Sequence, residues 1–314
     1  SSTVHARSVI EVPAAAAALT ARAVPSLRGV TEAELAAGYA DCARITRTRA
    51  RNFYYGLRLT PEPRRSAIYS IYAWMRCADD AADAQDTMER KHRQLAEYRR
   101  QTERILQGER PDASAPPYWI GFAATVNTYP IDRSIFGDML SGLDEDLGHA
   151  GYASDEELWQ YCYRVASTVG LVCISIWGLA GGVDPVRVQD LAIRRGQAFQ
   201  RTNILRDFAE DFDSDPSRVY LPRSAFLAAG LTPEDVRTWK DPARCQAFIA
   251  SQAAIARAEY KASAGLEDLI DPACAPTLWA MSRIYSDILR LIENKPMCIV
   301  ENKRVRLRSA RKAR

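Results

Sequence analysis

Two apolar helical segments each carry a pair of aspartates, and few demands limit a fold more than having to shelter anions twice. Residues 76–83 read Arg-Cys-Ala-Asp-Asp-Ala-Ala-Asp, and residues 203–211 read Asn-Ile-Leu-Arg-Asp-Phe-Ala-Glu-Asp. Asp79 and Asp83 are four residues apart, as are Asp207 and Asp211. That spacing sets both carboxylates of a pair on one helix face, with Cβ atoms about 5–6 Å apart. The stripe Tyr72, Arg76, Asp79 or Asp80, Asp83 runs beside Ile68, Ile71, Ala73 and Met75. Gln200, Asn203, Asp207 and Asp211 run beside Phe199, Ile204, Leu205, Phe208 and Phe212. One such stripe is equally well a row of surface salt bridges. Two matching stripes favour a pocket whose acids are neutralised by something cationic.

Helical periodicity runs through the chain, at 32–50, 62–85, 87–107, 118–127, 132–146, 155–181, 184–213, 223–230, 233–238, 242–270 and 275–294. Alternating β-branched runs are nearly absent, so the fold expected is all-α: a flexible leader over 1–30, then one domain over 31–310. Thr31, Thr60, Ser154 and Thr232, each followed by acids or proline, read as helix starts. The mixed-sign helix 87–107 reads as a solvated face. Residues 165–183 hold no charge, yet their serines, threonine and four glycines suit a buried helix beside a ligand better than a lipid-facing one.

A net charge of +3 with pI ≈ 8.4 is too balanced to point to nucleic acid. Seven cysteines without a C-x-x-C pair read as reduced, buried thiols of a cytoplasmic protein. Three scattered histidines argue against zinc or di-iron. The basic stretch at 303–314 fits anionic lipid, an anionic substrate or a solvated terminus. No Walker A loop, G-x-G-x-x-G or G-x-S-x-G is present. Converging carboxylates suit magnesium, which takes oxygen ligands and keeps waters for a phosphate to replace. Arg76 and Arg206 offer forked donors for phosphate oxygens. A diphosphate on a long hydrocarbon tail satisfies both the acidic and the apolar features.

The segments at 52–61, 71–83, 161–170 and 200–211, with Arg218-Val-Tyr-Leu-Pro222, together resemble the squalene/phytoene synthase family. The resemblance implies an isoprenoid-synthase helical bundle around a central cavity and a head-to-head condensation of two prenyl diphosphates. It implies Asp79, Asp83, Asp207 and Asp211 as magnesium-binding acids, with manganese as a substitute. It implies Arg76, Arg206, Gln200, Asn203, Tyr285 and Asn52 on the diphosphate side, and Tyr161, Tyr72 and Phe53 near the reacting carbons. Asn52 stands where serine is common and Arg49 where some members carry histidine. Two farnesyl diphosphates giving presqualene diphosphate or squalene is the leading expectation, with NADPH required only for squalene. Phytoene synthesis from geranylgeranyl diphosphate is the alternative; a class I terpene cyclase and a catalytically silent scaffold rank lower. Peripheral membrane contact and a monomer or homodimer are expected.

Overall fold

The computed structural model describes residues 29–50, 54, 56–83 and 87–301, with the backbone alone for Asp83. The expected leader therefore lies almost wholly outside the described residues, as do Asn52, Phe53 and the basic stretch. The described chain is helical throughout, apart from one isolated bridge between Leu179 and Ile270. In order the helices are α1 (Glu32–Arg49), α2 (Arg64–Asp83), α3 (Met88–Leu106), α4 (Tyr118–Thr128), α5 (Ser134–Leu147), α6 (Asp155–Cys162), α7 (Thr168–Trp177), α8 (Pro185–Arg206), α9 (Phe208–Phe212), α10 (Arg223–Ala229), α11 (Pro233–Arg237), α12 (Pro242–Ala262) and α13 (Ala275–Asn294).

Three of the expected starts are made by their side chains. Thr31 and Glu34 form a reciprocal capping box, as do Thr232 and Asp235, and Ser154 Oγ accepts from the Glu157 N–H at 3.3 Å. Thr60 is different: it is buried, and its hydroxyl meets that of Thr277 at 2.9 Å. The helix after it begins at Arg64, where the Glu62 carboxylate receives the Ser66 N–H at 3.1 Å.

Three long expected helices are interrupted. Residues 155–181 become α6, a π-helical turn (Tyr163–Ser167) and α7, which stops at Gly178 with φ +83°. A left-handed φ is costly for residues other than glycine, so the stop is built into the sequence. Residues 184–213 break at Asp207, and 242–270 ends as a helix at Ala262 before a 3₁₀ turn (Leu266–Leu269). No described helix is long and apolar enough to cross a membrane.

One core gathers α1 to α5 and α7 around a packed aromatic cluster of Trp74, Phe122, Phe136, Tyr98 and Trp119. The other gathers α6, the end of α8 and α10 to α13 around residues such as Phe226, Phe248 and Leu289. Helix α8 contributes to both. Helix α3 buries Leu95, Tyr98 and Thr102 on one side and shows ion pairs such as Arg93–Glu89 on the other, as its charge pattern predicts. All seven cysteines are free, and five are buried.

Candidate active site

A cavity of about 230 Å³ opens in the bundle, its apolar lining drawn mainly from the first core. A water needs only about 10–15 Å³ on such a measure, so this is a chamber rather than a packing flaw. Helix α2 gives it Ile68, Ile71, Tyr72 and Met75, and α8 gives it Ala192, Gly196, Phe199, Gln200 and Asn203. The π turn places the neighbours Val165 and Ala166 together on the wall, and α7 adds Val169, Gly170, Cys173, Ile174 and Trp177. Helices α8 and α7 approach closely and antiparallel. A Cβ on Gly196 would meet Ser167 Cα at 2.5 Å, and one on Gly170 would meet the Ala192 carbonyl at 3.1 Å. The uncharged segment therefore forms a buried wall of the cavity.

One turn past the lining residues, each helix carries its acids. On α2, Asp80 is committed to two arginines: Arg49 Nη2 reaches its oxygens at 2.5 and 2.8 Å, and Arg76 Nη2 reaches Oδ1 at 2.7 Å. Asp79 is more open, with a side chain 40 % exposed and Arg76 Nη1 at 3.9 Å. Asp83 ends α2, and its side chain lies outside the described residues. The Nε of Arg76 is buried without a hydrogen-bond partner.

The second pair survives the break in its helix. Asp207 caps α8, and the Asp211 N–H donates to the Asp207 carbonyl at 2.9 Å, keeping the four-residue register into α9. Arg206 grips Asp207 with Nε and Nη2 at 2.8 and 2.6 Å. The expected diphosphate arginine and the expected metal acid are thus each other's partners here. Burial, with the charges of Asp207 and Glu210, pushes the Asp211 carboxyl up to about 7. Asn203 Nδ2 donates to Gln200 Oε1 at 3.4 Å, while Asn203 Oδ1 is buried and unpartnered. Tyr285 is buried, stacked on Phe199 with centroids 4.6 Å apart. Burial pushes its phenol up to about 12, against the pull of nearby Arg206.

Tyr161 is not among the cavity-lining residues. It sits one turn before Val165, packed between Tyr152 and Tyr220 with centroids 5.3 Å from each. Its hydroxyl donates to Asp146 Oδ2 at 2.9 Å, and that of Tyr220 donates to Oδ1 at 3.0 Å. Burial lifts Asp146 to about 6 against those two hydrogen bonds. The run Asp144-Glu-Asp146 looks solvated in sequence. The available signal was register: Asp146 lies seven residues after Met139 and four after Gly142, both buried on α5.

Among the described residues, no three His, Cys, Asp or Glu side chains are gathered closely enough to hold a metal by themselves. The donor set still fits a hard cation. A carboxyl raised by its acidic neighbours and an unpartnered amide oxygen both gain from one.

A sequence profile described as squalene/phytoene synthase matches residues 46–311. The chain is 34 % identical to the chloroplastic phytoene synthase of Daucus carota over 81 % of its own length, spanning 63 % of that protein. It is 34 % identical to the phytoene synthase of Mycobacterium tuberculosis, covering 89 % of both chains. A solved dehydrosqualene synthase in complex with a ligand superposes with TM-score 0.77 at 26 % identity, over 90 % of this chain and 94 % of that one.

Proposed function

The chain belongs to the squalene/phytoene synthase family, and on that premise we propose that it condenses two farnesyl diphosphates head to head, giving presqualene diphosphate and, with NADPH, squalene. The observation that carries this reading is one apolar chamber with a pair of aspartates at the end of each facing helix. Asp79, Asp83, Asp207 and Asp211 are the residues to hold magnesium, with Asn203 Oδ1 as a further oxygen donor. Bound there, magnesium would take up negative charge developing on the leaving diphosphate.

The protein's own groups do the rest. Arg76 and Arg206 can turn from Asp80 and Asp207 to diphosphate oxygens, exchanging one anionic partner for another. When the first allylic C–O bond breaks, its electron pair leaves with the diphosphate. The double bond of the second prenyl chain attacks the cation, and transfer of a proton from the resulting cation to the released diphosphate closes a cyclopropane. Tyr72, on the wall one turn before Arg76, offers its ring face to that positive charge. The apolar wall excludes water that would quench it. Tyr161 acts from behind the lining, its hydroxyl donating a hydrogen bond to Asp146.

The chamber's apolar length suits a prenyl tail. Asn203 and Ala192 both line the chamber, eleven residues apart on α8, a span of about 16 Å at helical rise. An isoprene unit extends roughly 5 Å at ordinary carbon–carbon bond lengths. Three units fill that span, and the lining continues past Ala192 to Trp177 at the end of the antiparallel α7. Phytoene synthesis from geranylgeranyl diphosphate is the second reading, favoured by the names of the relatives. Exposed Leu59 (50 %) and Trp279 (54 %) lie beside cavity-lining Leu57 and Leu278 and support docking on a membrane surface. Calorimetry with a non-ionising farnesyl thiodiphosphate tests the site. Binding should be tight with Mg²⁺ and fall at least about tenfold in EDTA; equal affinity in both would remove the metal from the account.

A further inference from the structure

The chamber's far end has a defined floor. Helix α2 descends from Met75 to Ile68, α8 from Asn203 to Ala192, and antiparallel α7 from Val169 to Trp177. Trp177, the last residue of α7, is the bulkiest side chain at that end and is 2 % exposed. Side chains on a helix lean toward its N-terminus, so the indole reaches back over its own preceding turn, toward the cavity. Two turns before it on α7 the wall is small, where Gly170 packs against Ala192 of α8.

Beneath Trp177 the protein is closed by bonds that do not involve the indole. The Gly178 carbonyl accepts from the Asp271 N–H at 2.9 Å, and the Ala180 N–H donates to the Leu269 carbonyl at 2.9 Å. Arg64 Nη1 pairs with Asp271 Oδ2 at 2.7 Å. The Trp177 Nε1 has no hydrogen-bond partner. The indole is therefore held by packing alone, and trimming it strands no polar group while the layer below stays in place.

We propose that Trp177 sets the length of prenyl tail this enzyme accepts, admitting a C15 chain and stopping a C20 chain. This rests on the prenyl-diphosphate reading of the same cavity. The test compares kcat/KM for farnesyl and geranylgeranyl diphosphate in wild type, Trp177→Phe and Trp177→Ala, each checked for a cooperative thermal melt. Trp177→Ala should shift the ratio toward the longer substrate by at least about tenfold, the scale on which apolar pockets discriminate by size. Trp177→Phe should shift it the same way by a smaller factor, and it decides the matter if the alanine variant does not fold. A ratio within about twofold of wild type in every folded variant would overturn the proposal while leaving the condensation reading intact. A wild-type enzyme that prefers geranylgeranyl diphosphate would also overturn it. Wild-type silence toward both substrates would instead sink the reading on which it rests.

Discussion

At the scale of single residues, the acids at the head of the chamber are crowded by burial and by one another. Asp211, lifted to about 7, and Asp146, lifted to about 6, hold their protons more tightly in the fold than in the unfolded chain, where aspartate titrates at about 3.9. Their contribution to stability is therefore present below the unfolded value and is lost as pH rises through the folded one. A divalent cation at Asp211 must displace that proton at low pH but not at high pH. Mg²⁺ is thus expected to raise the melting temperature more at pH 8 than at pH 5.5, and Asp211→Asn should erase the difference. Equal shifts at both pH values in wild type would speak against the assignment. Asp79→Ala and Asp207→Ala should each lower turnover by about a hundredfold or more. Asp79→Ala should leave the melting temperature unchanged, whereas Asp207→Ala strands the largely buried Arg206 guanidinium and should lower it. A collapse of the fold in either variant would recast these acids as structural. Tyr161→Phe leaves Asp146 with one donor fewer and should cost about 1–3 kcal/mol of stability, read by denaturant titration.

At the scale of elements, most helices were legible and their interruptions were not. Thr31, Ser154 and Thr232 announce starts because their side chains make the capping bonds. The breaks at Tyr163–Ser167 and Asp207 carry neither proline nor a left-handed glycine, whereas the stop after Ala262 is followed by Gly265 at φ +83°. The π turn matters most, because it brings Val165 and Ala166 onto the same wall while α8 presses against Ser167. Gly196 makes that contact possible. Gly196→Ala places a Cβ 2.5 Å from Ser167 Cα and 2.7 Å from its N, both backbone atoms that cannot swing aside. The two helices must separate, at a cost of about 1–3 kcal/mol. A melting temperature unchanged from wild type would show the seam to be softer than its geometry states.

At the scale of the whole molecule, two cores share α8, a chamber lined mainly by the first runs along it, and the acids arrive at one end because α2 and α8 each carry them a turn beyond their lining residues. The pairing of the stripes could be read from four-residue spacing. Asp146 gathering Tyr161 and Tyr220 could not, since it depends on contacts between segments distant in the chain. A membrane role for the Leu59 and Trp279 face predicts that the protein sediments with phospholipid vesicles and that Leu59→Ser with Trp279→Ser releases it. Retention of the double variant would place the contact elsewhere. The central claim is that two aspartate pairs facing one apolar chamber join two prenyl diphosphates. Its most direct measurement is product identification after incubating the purified protein with farnesyl diphosphate and Mg²⁺, without NADPH. A C30 cyclopropyl diphosphate, absent in EDTA, is the result predicted; a C15 hydrocarbon or alcohol from a single diphosphate, or turnover persisting in EDTA, would contradict it.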